Sequence, residues 1–454
     1  MSNVETKHPN LTPQRLRDWA LCRAAYEGEG DIKAAKETYL KRPSGYAADK
    51  GGNAAYEAYL DRAQFPEIMA ASVGAMVGII HGKEIAVELP AGMEYLQENI
   101  DGNGTTLVDF HKEITRQLLV IGRYGVLADS PENGGDPYLA GYTAPTVINW
   151  DHDFFVLDES GMVREGFDWV QKSQYRVLSM DGARYAAQVY ADSAITDVTP
   201  TKQGGGFLPR IPFAIASAKD IGPDIEAAPL TGIARAAKAM YQLSADYRLQ
   251  LFMSGQETLA AINADAPDKV GAGVVVEIKG DGNLPADLKY VSPSCSGIAA
   301  HLEAIEHNRD MAIQAGARLF EQSGQANESG NARAMRFRSE TANMMTIAQA
   351  SCSLLEKSLR NIAMILNQSD AAQDAITVPP PKDLLDATMT PQDATALWAL
   401  VMSGGLASET YYERIQAGGI ASDERTYDDE LVLIDRDQDR ADGLSPERDA
   451  PPTE

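Results

Sequence analysis

The sequence predicts an α+β fold that is mainly helical, and three observations carry that prediction. Long stretches place apolar residues at helical spacing on both sides of one central block. That block, residues 145–217, is built of short β-branched and aromatic runs separated by turn signals. The composition, 44% hydrophobic and 23% charged over 454 residues, is that of a globular chain of roughly two to four domains at ~150 residues each.

Taken in order, a Thr12-Pro13 start opens a helix with Leu16, Trp19, Ala20, Cys22 and Arg23 at helical spacing. A second helix spans Asp31 to Lys41 and ends at Arg42-Pro43. A third begins at Ala54 and is interrupted at Phe65-Pro66 before IMAASVGAMVGII (68–80). HKEITRQLLVIGRYGVLADSPENG predicts a helix ending near Gly122, a short strand over 124–128 and a turn. The runs TVINW, FFVLD, FDWVQ, YRVLSM and YAAQVYA then read as an antiparallel meander closing at IPFAIAS (211–217).

From Leu230 the pattern is helical to about Met253. A strand pair follows, GVVVEIK and DLKYV, joined by Gly280-Asp281-Gly282-Asn283. Over 298–319 a helix carries Ile298, Leu302, Ile305, Ala312, Gly316 and Leu319, the 3-and-4 seam of a helix packed along another helix. Between Phe320 and Ala332 there is no large apolar residue. The longest helix begins there, with Ala332, Met335, Ala342, Met345, Ala348, Leu355, Leu359, Ile362 and Leu366 in phase. Its roughly 36 residues at ~1.5 Å each form a rod of about 55 Å. Pro379-Pro380-Pro381 breaks the chain, and 390–425 read as short helices with Gly-Gly corners. From Asp428 on, ten acids against three arginines predict a disordered tail.

The charge balance is strongly acidic: 40 Lys+Arg against 65 Asp+Glu give −25. That argues against a protein that grips nucleic acid by neutralising phosphates. It does not exclude one past which DNA slides without sticking, since repulsion between like charges keeps a polyanion mobile. Three cysteines, Cys22, Cys295 and Cys352, form no CxxC pair, which fits a reducing compartment. The N-terminus lacks a signal-peptide run, and the longest apolar stretch, 68–80, is too short for a bilayer, so no membrane role is expected.

Searches for reactive constellations return little. Gly78-Ile79-Ile80-His81-Gly82-Lys83-Glu84 is one residue short of a phosphate loop and has Glu where Ser/Thr must hold Mg²⁺. Gly271-Ala272-Gly273 is a lone GxG. Asp151-His152-Asp153 is the best metal candidate, but adjacent strand residues face opposite ways, so the three converge only if the strand has ended; otherwise they form a turn. His301 and His307 lie six apart, about 240° around a helix. No catalytic residue, metal site or cofactor is assigned, and no enzymatic activity is expected. Arg333, Arg336 and Arg338 are the only basic cluster near the polar stretch. They fit either a solvated face with partners such as Arg336–Glu340 or contacts to phosphate or a neighbouring subunit.

Several strings together resemble the portal proteins of tailed bacteriophages: YEAYLDRAQFPEIMAASVGAMVGII (56–80), LLVIGRYGVLADSP (118–131), INWDHDFFVLDESG (148–161), IPFAIAS, and above all NESGNARAMRFRSETANMMTIAQASCSLLEKSLRNIAMIL (327–366). The resemblance covers about residues 15–425. Where related sequences often carry Asn and His in the helix after Pro229-Leu230, this chain has Ala237-Lys238-Ala239-Met240, and the acidic tail is its own.

The resemblance implies a portal-type subunit. Its parts would be a wing of helices and antiparallel β (1–230), stem helices (231–257 and 298–320), a small α/β clip (258–297), a channel or tunnel loop (321–331), a long wing helix (332–368), a helical crown (380–427) and the acidic tail (428–454). It implies a ring, usually of twelve copies, at one vertex of a virion capsid, made in the host bacterial cytoplasm. The implied partners are double-stranded DNA passing through the channel for packaging and ejection, the terminase large subunit, the major capsid or scaffold protein, and a head-completion or tail adaptor. The channel loop would comprise Gln322, Ser323, Gly324, Gln325, Asn327, Ser329 and Gly330. Two other classes stand beside this reading: a metal-dependent hydrolase using Asp151, His152 and Asp153, and a monomeric helical adaptor.

Overall fold

A computed structural model describes the chain except residues 1–3, 49–50, 83–84, 86, 132–133, 192–193, 256–257, 270–276, 279–284, 292–296, 316–329, 382–390, 418, 423–424 and 444–454. For 258, 330–343, 391–393, 417 and 438–443 the backbone alone is described. The chain divides into two compact units, residues 1–381 and 382–454. The architecture is α+β: helices with antiparallel sheets.

The first unit opens with four helices, α1 (Pro13–Glu27), α2 (Glu29–Ala34), α3 (Gly52–Arg62) and α4 (Ile68–Ile80). Thr12 caps α1 by accepting from the Arg15 N–H, with Pro13 at the first helical position where its missing donor costs nothing. The second helix is shorter than expected: it stops at Ala34, and Lys36 turns to φ 45° where a tight 3₁₀ turn begins. Helix α5 (Leu107–Val120) is opened by a reciprocal cap, in which Thr106 Oγ1 accepts from the Asp109 N–H and donates to the Asp109 carboxylate. It ends at Gly122, whose φ of 81° and close approach to Ala228 leave no room for a side chain.

Strand β1 (Arg123–Asp129) follows at once and is buried along its whole length. It pairs on one side with β2 (Tyr138–Thr143) and on the other with β10 (Phe213–Ser217). IPFAIAS therefore does not close the meander. A strand buried at every position needs cover on both faces and a paired edge, and that environment exists beside β1.

The meander is the five-stranded sheet β3-β4-β7-β8-β9, made of β3 (Val147–Trp150), β4 (Phe154–Asp158), β7 (Gln174–Asp181), β8 (Arg184–Ala191) and β9 (Ala194–Asp197). Strands β5 (Gly161–Glu165) and β6 (Asp168–Lys172) leave it as a separate two-stranded hairpin. Met162, Val163, Phe167, Trp169 and Val170 are all exposed on this hairpin.

Helix α6 (Thr231–Ser254) leads to β11 (Thr258–Ile262), which pairs with β12 (Asp287–Val291), and then to α7 (Ile298–Gln314). DLKYV is thus a strand as expected, but its partner is TLAAI; most of GVVVEIK lies outside the described residues. Helix α8 (Gly330–Ile365) is the longest, at 36 residues. Its C-terminal half is buried nearly all round, through Leu354, Leu355, Leu359, Ile362 and Ala363. It packs on α4, α5 and the sheet of β1, β2 and β10, and it is the spine of the unit. Helix α9 (Asp370–Ala375), capped by Ser369, follows it.

The second unit holds α10 (Pro391–Met402), α11 (Ser408–Ala417) and α12 (Tyr427–Gly443). The tail is therefore not disordered from Asp428: residues to Gly443 are helical. The reason is local. Thr426 Oγ1 accepts from the Asp429 N–H and donates to its carboxylate, which in turn accepts from the Thr426 N–H. Asp428, Asp429 and Glu430 also stand in the first turn, where the helix dipole favours negative charge.

Candidate channel loop and its helical base

The expected loop residues Gln322, Ser323, Gly324, Gln325, Asn327 and Ser329 lie outside the described residues. Gly330 is the first residue of α8, and Arg333, Arg336 and Arg338 belong to its first turns, with only their backbone described. What the structure defines is the base from which the loop leaves.

That base is an antiparallel pair. The start of α6 meets the end of α7, where Gly232 faces Ala315, and the end of α6 meets the start of α7, where Gln250 Nε2 lies 3.1 Å from His301 Nε2. His301 is thus engaged within the pair and not aimed at a metal with His307. Ala236, Met240 and Ala312 form the seam, with Ile68 and Ile305 packed on it. Small residues bring the backbones together: a Cβ at position 232 would sit 2.7 Å from the Ala315 Cβ. We predict that Gly232→Ala lowers the urea-unfolding midpoint by the equivalent of about 1–3 kcal/mol through overpacking. Gly232→Ala combined with Ala315→Gly should recover most of that loss, and a single variant as stable as wild type would disprove the contact.

Two buried polar sites brace the rest of this unit. Arg176 of β7 donates from Nη1 to Asp129 of β1 and from Nε to Glu159, both at 2.7 Å, tying the two sheets together. Tyr142 Oη (2.6 Å) and Gln174 Nε2 (2.7 Å) also donate to Glu159. Burial lifts the Asp129 carboxyl above its usual range against the pull of Arg176, while the two carboxylates hold the guanidinium charged despite its burial.

The second lies where α4, α5 and α8 meet. His81 Nε2 is 2.9 Å from Thr115 Oγ1, whose hydroxyl donates to the His111 carbonyl, so the hydroxyl accepts from the ring. His111 Nε2 is 3.2 Å from Ser351 Oγ, which likewise donates to the Ala348 carbonyl. Both rings therefore donate through Nε2–H. Burial pushes the His81 imidazole down to about 4, helped by Lys112, and His111 to about 3, helped by His81. Cys352, 3.8 Å from His111 Nε2, has its thiol pushed up to about 12 by burial, which makes it inert as a nucleophile.

Asp151, His152 and Asp153 do come together. β3 ends at Trp150 and β4 begins at Phe154, so strand alternation does not separate them. One ligand atom from each lies within 4.8 Å of the others. All three are exposed, and His152 Nδ1 lies 3.1 Å from Asp151 and 3.8 Å from Asp153. Their mutual hydrogen bond raises the imidazole and lowers the Asp151 carboxyl. The group is a self-satisfied turn between two strands. Gly78, the first residue of the near phosphate loop, is inside α4.

Among the described residues no helix is long and apolar enough to cross a membrane. A family described as a domain of unknown function, DUF4055, matches residues 229–365. That span runs from the residues just before α6 to the last residue of α8. No curated protein matches the chain. Solved structures similar to it include a chain of the neck of a native GTA particle computed with C12 symmetry, at 17% identity over 77% of this chain and 89% of that one, TM-score 0.41. A chain of the neck of an empty GTA particle computed with C6 symmetry is 17% identical over 78% and 90%, TM-score 0.40. A chain of the virion of a native gene transfer agent (GTA) particle is 16% identical over 77% and 89%, TM-score 0.43.

Proposed function

We propose that this chain is the subunit of a portal ring, a head-tail structural protein of a phage or phage-like particle through which double-stranded DNA passes. The observation that carries the reading is the continuous module from α6 to α8. An antiparallel helix pair, closed at its base by Gly232 against Ala315, feeds through a stretch without large apolar residues into a 36-residue helix. A loop lining the channel of a ring is solvated and faces a polyanion, so Gln, Asn, Ser and Gly suit it and apolar residues would be exposed without gain. The net charge of −25 keeps such a channel from holding the DNA it must let slide.

In this reading Gln322 to Gly330 form the channel loop, and α6 with α7 the stem. The β11–β12 region is the clip that meets terminase, and residues 380–427 are the crown. Arg333, Arg336 and Arg338 contact DNA or the neighbouring subunit. The capsid or scaffold protein and a head-completion or tail adaptor complete the set of partners.

Native mass spectrometry of the purified protein tests the assembly. A twelve-fold ring of 49.0 kDa chains appears near ~590 kDa, with a central hole in class averages. A monomer at every salt and protein concentration would overturn the ring and leave the helical adaptor as the better description.

A further inference from the structure

The β5–β6 hairpin carries apolar side chains that nothing in its own chain covers. Every residue from Met162 to Val170 is exposed. Phe167 is 93% exposed at the tip, in a two-residue turn opened by Gly166 at φ 67°. Val163 opposes Val170 on one face, and Met162 and Trp169 stand on the other, so neither face turns to a core. A two-stranded hairpin alone is marginal in water, and an apolar patch of this kind on a folded chain marks a contact.

The position of the hairpin says what it meets. It leaves the five-stranded sheet where β4 ends and β7 begins, beside the Asp158–Tyr175 pair. At the other end of the eight-residue β7, where Asp181 pairs with Arg184, lies a cleft of about 1100 Å³. At ~3.3 Å per residue these two ends are some 25 Å apart, so the hairpin does not fill the cleft of its own chain. Copies placed head to tail would bring each hairpin to the next cleft, and a heterologous contact of that kind is what closes a ring.

The cleft suits such a tip. Pro137, the buried Tyr185 and Phe207 give it apolar walls, and Arg184 lies over the Phe207 ring at 3.2 Å. Its charged groups are Arg184 and Lys202 with Asp181 and Asp197. Those of the hairpin are Arg164 and Lys172 with Glu165 and Asp168, both acids lying within two residues of Phe167. Each surface holds two charges of either sign, so they meet without net repulsion although each chain carries −25. A nucleic acid finds no net positive charge on either.

From this we infer that the Phe167 tip of the β5–β6 hairpin docks in the Arg184–Phe207 cleft of a second copy of this chain. The contact rests on the ring proposed above, whose neighbours it joins.

The test uses the full chain with the photo-cross-linker p-benzoylphenylalanine in place of Phe167, irradiated as a mixture of unlabelled and isotope-labelled copies. Mass spectrometry should find position 167 of one copy joined to peptides of another that contain Arg184 or Phe207. Phe167→Ser, at a site too exposed to disturb folding, should raise the protein concentration needed for half-assembly about tenfold, and Phe167→Tyr should leave it unchanged. Assembly that ignores Phe167→Ser, or cross-links that fall outside the cleft or stay within one copy, would overturn the contact and leave the ring standing. A wild-type chain that is monomeric at every concentration would overturn both.

Discussion

Taking the pH from 7 to 4.5 should destabilise the first unit by about 3–5 kcal/mol through two histidines alone. His81 and His111 are held neutral in the fold, at about 4 and about 3, whereas in the unfolded chain they titrate near ~6.5. Between those values the unfolded chain binds two protons that the folded chain refuses. Stability is therefore complete above the unfolded value and is lost as the pH falls below it. Each unit of pH in that window is worth ~1.4 kcal/mol per histidine. Carboxylates elsewhere contribute to acid unfolding too, so the measurement is a comparison. Urea midpoints of wild type and the His81→Gln/His111→Gln protein, followed from pH 7 to 4.5, should diverge by that amount, the variant being less sensitive to acid. Gln keeps an N–H donor for Thr115 and Ser351, which limits the cost at neutral pH. Parallel curves would show that the two rings are not buried together at the junction of α4, α5 and α8.

The second large effect is expected at Arg176. Replacing it with Met leaves buried Asp129 and half-buried Glu159 without their cation, and an orphaned buried charge of this kind costs about 3–5 kcal/mol. The pair of sheets it joins should loosen as one, since Asp129 sits on β1 and Arg176 on β7. Adding Asp129→Asn and Glu159→Gln to Arg176→Met removes the stranded charges and should restore part of the loss. Thermal unfolding of the single and triple variants reads both predictions. A single variant within about 1 kcal/mol of wild type would mean the carboxylates reach water without the guanidinium.

How much of this was legible beforehand depended on the range over which the sequence acts. Helices α5, α6 and α8 stand out because apolar periodicity is a local signal, strengthened in α5 by its Thr106 cap; the long helix expected over 332–368 is α8, Gly330–Ile365. The partner of β10 was not legible: Phe213–Ser217 reads equally well as the last strand of a meander or as a neighbour of β1, ninety residues away. Helix α12 was hidden by composition. The seven acids of α12 outweigh the Thr426–Asp429 cap, although that cap is written in the sequence and marks the start of the helix. Spacing alone leaves Asp151–Asp153 either split across a strand or gathered in a turn, and the end of β3 at Trp150 makes it a turn. The buried sites were beyond reach, because His81, His111 and Ser351 come from three segments that only the fold assembles. The polar stretch between Phe320 and Ala332 is an absence of large apolar residues in the sequence, and most of it lies outside the described residues.

One consequence of the α8 spine concerns synthesis. The apolar sheet of β1, β2 and β10 is covered by a helix that ends over 200 residues after β1. That sheet is complete only at Ser217, and at ~5–20 residues per second the roughly 150 residues from there to Ile365 take about 7–30 s. Through that interval the nascent chain presents a hydrophobic sheet face without its helical cover, a surface open to association until α8 is made.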